Sequence, residues 1–300
     1  MQVFLMVYAG LMTRRGFWLF AALAFLWGIP YLLIRVAVRQ VDPGVLVAAR
    51  TLPASLIMIP VVAYRKEFAS MVKNMKWIIL FGAIEFGIPW YLMGTVEKHV
   101  TSSLTSLMIA TVPLFSLAIS KVRKVQEHMT AQRWFGLFIG AVGIVSLVGL
   151  DVHGGDLKWV GLMLFICLGY AIGPVILATK TRDVAGIAIV AGATGVIGIL
   201  WLPYAVMHWP ARISSETVFS LTALTVACTV GAFLVFFELI KEVGAARATV
   251  VTYTNTAIAV VLGIVFLNEP LTTGIAIGFP LVLVGSYYAT SSKRKVITET

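Results

Sequence analysis

A run of about 20 apolar residues recurs ten times along this chain, and this recurrence constrains the fold more than any other feature. A helix needs about 20 apolar residues to cross the roughly 30 Å hydrocarbon core of a bilayer. A chain of 300 residues that is 60% hydrophobic and 12% charged cannot bury such runs in one soluble core. The predicted spans are residues 16–36, 44–64, 77–96, 101–120, 132–150, 159–179, 184–206, 218–240, 248–267 and 272–290.

The fold class predicted from these runs is an all-α membrane protein with ten transmembrane helices. The runs are apolar around the whole helix, whereas strands of a membrane barrel would be shorter and would alternate polar with apolar residues. The connectors are short, so we expect no appended soluble domain. We expect residues 1–15 to be an N-terminal extension that is disordered or lies on the surface, because their apolar stretch is too short to span and precedes the Arg pair. Residues 291–300 are expected to be a cytoplasmic tail.

Lysine and arginine are distributed unevenly between alternate connectors. With the amino terminus inside, fifteen of these side chains fall on the cytoplasmic side and four on the outer side, namely Arg39, Lys98, Lys158 and Arg212. Because positive connectors resist translocation, we expect both termini to be cytoplasmic in a bacterial inner membrane. The net charge of +10 then reflects topology and attraction to anionic lipid headgroups, so nucleic acid is not an expected partner.

Two distant segments resemble each other. QEHMTAQRWFGLFIGAVG at 126–143 and NEPLTTGIAIGFPLVLVG at 268–285 share five identical residues at an offset of 142 positions, including Glu127 with Glu269 and Gly143 with Gly285. The first enters the fifth span from the inside, and the second enters the tenth span from the outside. The sequence therefore predicts two inverted five-helix repeats, 16–150 and 159–290. Such repeats are typical of transporters that open a midplane site to each side in turn.

A family resemblance rests on three segments: FLWGIPYLLIR at 25–35, SLTSLMIATVPLFSLAIS at 103–120, and the doubled Glu-x-x-Thr followed by spaced glycines. With these, the chain resembles the drug/metabolite transporter superfamily in its EamA-type branch, over nearly all of residues 16–290. It is most similar to bacterial aromatic amino-acid exporters of the YddG type. The sequence departs from the family at residues 126–128, where Gln-Glu-His stands in place of the usual Gly-Glu.

The resemblance implies a carrier that exports small amphipathic metabolites, foremost aromatic or other hydrophobic amino acids, by alternating access around a central cavity. Export of other metabolites or drugs is the alternative within the superfamily. A channel or a non-transporting scaffold is the alternative outside it, and the inverted repeat argues against both. The driving force is open between proton coupling and facilitated diffusion.

Three ionisable residues fall inside predicted spans, where an uncompensated charge costs several kcal/mol: Arg50, Glu85 and Glu238. Glu238 is near enough to the inner end to reach water. Glu85 is near the middle of the third span, on one helical face with Gly82 and Pro89. Two interpretations stay open for Glu85: a buried ion pair with Arg50, or direct contact with the solute's amine or a coupled proton.

Aromatic and polar residues near predicted helix breaks complete the candidate site. Trp27 and Tyr170 are the strongest aromatic candidates, because both are mid-span and repeat-related. Anchoring at the interface or helix packing is the alternative for each such residue. The full set of candidate substrate-binding residues is Trp27, Pro30, Tyr31, Glu85, Trp90, Tyr91, Tyr170, Tyr253 and Asn255.

Glu127 and Glu269 have a structural interpretation. Each lies at the amino end of a span, where its carboxylate is expected to accept hydrogen bonds from the free N–H groups of its own helix. Pro270 suits that first turn. The alternative is that these acids form a gate ion pair, for which Glu127 would need a partner such as Arg133.

An enzyme is not expected. The four histidines fall in predicted loops, and Cys167 and Cys228 are in different spans. No motif for a metal, a nucleotide or another cofactor is present, so we expect none. Nothing in the sequence marks a dimer interface, and a homodimer is left open.

Overall fold

The computed structural model describes residues 13–122, 131–151, 157–243, 248 and 251–290. Every regular element in this part of the chain is helical. The predicted N-terminal extension, apart from residues 13–15, and the predicted tail lie outside the described residues. Ten helices are numbered in chain order: α1 (Arg14–Ala37), α2 (Pro43–Tyr64), α3 (Met75–Val96), α4 (Ser102–Ile109 with Val112–Val122), α5 (Ala131–Asp151), α6 (Leu157–Lys180), α7 (Gly186–Met207), α8 (Ser215–Val243), α9 (Val251–Leu267) and α10 (Thr273–Thr290).

Six of the described helices are long and apolar enough to cross a membrane: α1, α2, α3, α6, α7 and α8. Shorter apolar stretches coincide with the other predicted spans, in α4, α5, α9 and α10. Large apolar side chains are exposed along many helices, among them Trp18, Phe138, Leu200 and Phe266. A surface of this kind suits contact with lipid chains.

Two spans are broken where proline follows. α1 is interrupted at Ile29, just before Pro30, and α4 is interrupted between Ile109 and Val112, just before Pro113. Proline lacks the N–H donor and clashes with the preceding turn, which accounts for both breaks. α6 continues without a break through Pro174.

Two further spans contain a π-helical turn. One is Ala83–Gly87 in α3, and the other is Val226–Gly231 in α8. The two turns begin 143 positions apart, close to the offset that relates the two halves of the sequence. A π turn inserts an extra residue into the helix and locally frees backbone groups, and such turns are frequent at functional sites.

Several of the main helix pairs are kept when each helix of the first half is exchanged for its counterpart in the second. α5 packs on α10, α2 on α7 and α4 on α9; α1 contacts α8 and α9, just as α6 contacts α3 and α4. This arrangement fits a duplicated five-helix unit.

Glycines permit the closest of these contacts. A Cβ at Gly143 would lie 2.7 Å from the backbone nitrogen of Val282, and a Cβ at Gly285 would lie 2.8 Å from the carbonyl oxygen of Gly136. Gly136, Gly143 and Gly285 are among the residues of the sequence echo. The echo therefore includes the contact surface between α5 and α10.

Candidate functional site

Glu85 lies within the π turn of α3, at mid-span. Its residue surface is half-buried, but the Oε2 atom is buried and has no hydrogen-bond partner. The carboxylate rests against Gly173 of α6, where an added Cβ would come 3.1 Å from the Glu85 Cδ. The glycine therefore makes room for the acid at this helix crossing.

Arg50 is buried on α2 and is held by two contacts. Its Nε donates a hydrogen bond of 2.9 Å to Thr229 Oγ1, in the π turn of α8. Its Cζ lies 3.5 Å from the centroid of the Trp90 ring, a cation–π contact. Each contact fixes the guanidinium without neutralising it.

Of the two interpretations of Glu85, the ion pair with Arg50 is not formed in the structure. The ion pairs among the described residues include neither side chain. The physical reason is that Arg50 is directed to α8 and Trp90, whereas Glu85 is directed to α6.

Tyr170 on α6 is near both Arg50 and Glu85. It is close enough to interact electrostatically with Glu85, Arg50 and Tyr31. Tyr31 and Trp90 are buried, while Tyr170 is half-buried. The structure thus brings together five of the residues singled out from the sequence, which we call the central cluster: Tyr31, Arg50, Glu85, Trp90 and Tyr170.

Trp27 is connected to this cluster through other aromatic rings. It lies 5.8 Å from Phe233, which lies 5.8 Å from Phe86, which in turn lies 4.9 Å from Trp90. Neither phenylalanine was singled out from the sequence. The repeat offset was a signal for one of them, because Phe233 is 143 positions after Trp90.

The remaining candidates lie in other surroundings. Tyr91 stacks on Trp201 at 4.8 Å, and Pro30 is buried at the break in α1. Tyr253 and Asn255 are buried on α9, beside the crossing of α9 over Gly28. The Asn255 side-chain oxygen accepts a 3.4 Å hydrogen bond from Thr256.

Glu238 takes part in a polar network at one end of the bundle. It pairs with Arg15 at 2.9 Å and with Lys241 at 2.7 Å, and Arg15 also contacts Glu242 at 3.5 Å. These contacts join the start of α1 to the end of α8. As expected, Glu238 is not a deeply buried charge.

Glu269 caps a helix, but not the helix that was expected. Its carboxylate accepts from the backbone N–H groups of Ser102 at 2.7 Å and Ser103 at 3.0 Å, and from the Ser103 hydroxyl at 2.6 Å. These groups begin α4, whereas α10 is capped by Thr272, whose Oγ1 accepts from Ile275 N at 3.2 Å. The chain turns back at Asn268, which has a φ of 54°, and so directs Glu269 away from its own helix. Glu127 lies outside the described residues.

A cavity of about 650 Å³ lies between α2, α7 and α8, and neither Arg50 nor Glu85 lines it. Its lining is largely aliphatic and includes Leu52, Ile57 and Val206. Among the described residues no group of His, Cys, Asp or Glu is placed to hold a metal ion.

Comparison with known proteins agrees with this architecture. The chain is 26% identical over 256 residues to the protein named uncharacterized inner membrane transporter YedA of Escherichia coli, covering 81% of this chain and 79% of that protein. It is 24% identical over 287 residues to the uncharacterized transporter YvbV of Bacillus subtilis, covering 92% of each. A solved crystal structure matches with a TM-score of 0.66 at 16% identity, over 91% of this chain and 96% of the other, and at that identity it shows the fold alone.

The two halves of the chain match one family in turn. Residues 14–149 and residues 157–291 each match the EamA-like transporter family. Together these segments span nearly the whole sequence. The chain is therefore a membrane transporter that belongs to the EamA-like transporter family, within the drug/metabolite transporter superfamily.

Proposed function

We propose that this protein is a carrier of the bacterial inner membrane that exports small zwitterionic metabolites, with aromatic and other hydrophobic amino acids as the best-fitting class. The central cluster carries this proposal. Arg50 is a buried cation and Glu85 a buried acid inside the spans, neither has an ionic partner in the described part of the chain, and both interact electrostatically with Tyr170. An α-carboxylate would compensate Arg50, and an α-ammonium would stabilise Glu85 as its carboxylate.

The energetics of buried charge favour a solute that brings both charges. An uncompensated ion in a low-dielectric interior costs several kcal/mol, and the cation–π contact of Arg50 returns only about 2 kcal/mol when desolvated. A zwitterion offers a counter-ion to each residue. A solute with a single charge could pair with only one of the two residues, and the other would stay without an ionic partner.

The apolar part of the solute is inferred from the rings around the charges. Trp90 is buried against Arg50, Tyr31 is buried and interacts electrostatically with Arg50, and Phe86 and Phe233 extend the aromatic surface toward Trp27. Pockets for amphipathic ligands are commonly apolar with a few charged groups that fix orientation. Export, rather than import, rests on the resemblance to aromatic amino-acid exporters.

Alternating access of two inverted repeats is the proposed mechanism. Two observations support it: the main helix pairs that are kept when the halves are exchanged, and the π turns at equivalent positions of α3 and α8. Each end of the bundle also has polar contacts between helices, which we call a latch. In the Glu269 latch, Glu269 accepts hydrogen bonds from the start of α4, and in the Glu238 latch, Glu238 pairs with Arg15 at the start of α1. In alternating access these two sets of contacts would break in turn.

Counterflow in proteoliposomes tests the carrier. Vesicles loaded with unlabelled phenylalanine should transiently accumulate external labelled phenylalanine above equilibrium, and empty vesicles with the same protein should not. A channel would equilibrate the label without overshoot. The absence of overshoot with every amino acid of an aromatic and aliphatic panel defeats the proposal.

A matched solute series tests recognition of the zwitterion. Phenethylamine lacks the carboxylate, and 3-phenylpropionate lacks the ammonium, while both keep the ring. Each should compete with labelled phenylalanine at least about tenfold more weakly than phenylalanine does. Equal competition by phenylalanine, phenethylamine and 3-phenylpropionate would show that Arg50 and Glu85 do not recognise the charged groups of the solute.

A further inference from the structure

Glu97 is a second buried acid that the central cluster does not use. It directly follows α3 and is 0% exposed, and both of its carboxyl oxygens lack a hydrogen-bond partner. Ser102, at the start of α4, has a buried hydroxyl oxygen that also lacks a partner. Buried polar groups are nearly always satisfied, so these atoms call for an explanation.

The charged groups around Glu97 do not compensate it. Arg35 and Glu269 face it from α1 and from the α9–α10 connector and interact with it electrostatically, and the Tyr31 phenol does so as well. Arg35, however, donates its Nη1 hydrogen bond to the Val100 carbonyl at 3.1 Å. No ion pair of the described residues includes Glu97.

The two polar residues that follow Glu97 in the chain, Lys98 and His99, contact other residues. Lys98 lies 3.8 Å from a carboxylate oxygen of Asp42. His99 stacks on Trp159 with a centroid distance of 3.9 Å. Neither side chain supplies a hydrogen bond to the Glu97 oxygens.

Glu269 provides the contrast at the same end of the bundle. It accepts three hydrogen bonds at the start of α4, so both of its carboxylate oxygens have donors. Ser102 Oγ lies on the side of Glu269, because a Cβ at Gly263 would be 3.0 Å from that hydroxyl and 2.5 Å from Glu269 Oε2. Two acids therefore share one buried region, and only one of them has donors.

The protonation state of Glu97 follows from this environment. Burial raises the pKa of Glu97 well above its usual range, Arg35 opposes the shift, and the negative charge of Glu269 adds to it. A neutral carboxyl avoids the cost of several kcal/mol for a buried ion without donors.

We propose that Glu97 is a proton-binding site at this end of the carrier, loaded while the Glu269 latch is closed and emptied when the latch opens to water. The inference rests on the alternating access proposed above. On opening, the O–H bond of the Glu97 carboxyl breaks, water takes the proton, and a hydrated carboxylate remains. Acidic pH therefore favours the closed end, and alkaline pH favours the open end.

Infrared titration of the full chain in lipid nanodiscs tests proton binding without any solute. The difference spectrum between the parent and Glu97→Gln should contain the carbonyl band of a protonated carboxyl at neutral pH, and this band should disappear as the pH is raised. Glu216→Gln, at an exposed site in the first turn of α8, is the matched control and should leave the band in place. A difference spectrum without that band overturns the proposal.

Sodium is the alternative ligand that this experiment separates. If the parent loses the Glu97 carbonyl band when choline is replaced by sodium at constant pH, the site binds a metal cation and the proton assignment is wrong. An unchanged band in sodium supports the proton.

Cysteine labelling gives a second measurement that does not need Glu97→Gln to fold. Ser102→Cys, with Cys167 and Cys228 replaced by alanine, should react slowly with a membrane-impermeant maleimide at acidic pH. The rate should rise by up to about tenfold per pH unit, because opening releases one proton. A rate that does not follow pH, after correction for thiol ionisation with the exposed control Arg212→Cys, contradicts the proposal.

These readouts are independent of transport. Loss of counterflow with an intact Glu97 band and pH-dependent labelling would remove the proposed function and leave the proton site. Intact counterflow without the Glu97 carbonyl band and without pH-dependent labelling would remove the proton site and leave the proposed function.

Discussion

The guanidinium of Arg50 lies over the Trp90 ring, with its Cζ 3.5 Å from the ring centroid, while its Nε donates to Thr229. These contacts join α2, α3 and α8 around one buried cation. They hold the guanidinium in a fixed plane but provide no anion. An arginine in this state is suited to bind a carboxylate brought by the solute.

Substitution of Arg50 by lysine should weaken transport although it keeps the charge. Lysine has no Nε–H to direct at Thr229 and no planar fork for a carboxylate. We expect the rate of phenylalanine counterflow at subsaturating solute to fall about tenfold or more, which corresponds to about 1.4 kcal/mol. Arg50→Leu should abolish counterflow. Arg39→Lys, on the exposed face, should match the parent, and full counterflow by Arg50→Leu would refute the assignment.

Substitution of Glu269 by glutamine should lower stability more than it changes selectivity. The amide keeps one acceptor oxygen but loses the charge that complements the amino end of α4. We expect a loss of about 1–3 kcal/mol, seen as a lower thermal midpoint of the purified chain in detergent. Glu216→Gln, an exposed carboxylate in the first turn of α8, should cost less than about 1 kcal/mol.

Transport selectivity provides the opposing outcome for the same variant. The ratio of phenylalanine to leucine counterflow should be unchanged in Glu269→Gln, because this carboxylate lies outside the central cluster. A changed ratio with an unchanged thermal midpoint would contradict a capping role.

Local sequence patterns predicted the helices and part of the packing, because these depend on composition and spacing. The apolar runs correspond to described helices, and the echoed glycines mark the contact of α5 with α10. The partner of Glu269 was not predictable in this way. Ser102 is 167 positions away, and only the left-handed turn at Asn268 directs the carboxylate toward it.

The contacts of the buried ionisable residues were likewise not predictable from local sequence patterns. Sequence placed Arg50 and Glu85 in adjacent spans, and pairing them was the simplest way to compensate both. The outcome depends instead on helix rotation, which turns Arg50 toward Thr229 and Glu85 toward Gly173. Glu97 was not singled out, because a charge at a span end is usually hydrated. Its burial is a property of the packed connectors.

The proposed inverted topology predicts opposite accessibility for two exposed arginines. In intact cells, a cysteine at Arg212 should react with an impermeant maleimide from outside, because this connector carries little positive charge. A cysteine at Arg65, in the connector after α2, should react only after permeabilisation. Both residues are exposed in the structure, so poor access to a buried site would not explain a negative result. Labelling of both from the same side would contradict the inverted repeat.

Glycine substitution tests the contact between α5 and α10. An alanine Cβ at Gly143 would meet backbone as well as side-chain atoms of α10, including the Val282 nitrogen at 2.7 Å. Backbone cannot move aside as a flexible side chain does, so the two helices must separate. We expect Gly143→Ala and Gly285→Ala each to destabilise the protein by about 1–3 kcal/mol, the range typical of overpacking.

The matched control for these variants is Gly161→Ala. Gly161 lies on α6, and a Cβ added there would have no atom within 4 Å outside its own helix neighbourhood. Alanine there adds no clash and favours the helix by up to about 1 kcal/mol. The thermal midpoint should therefore fall in Gly143→Ala and in Gly285→Ala, and it should hold or rise in Gly161→Ala. An unchanged thermal midpoint in both Gly143→Ala and Gly285→Ala would show that α5 and α10 are not in the close contact described here.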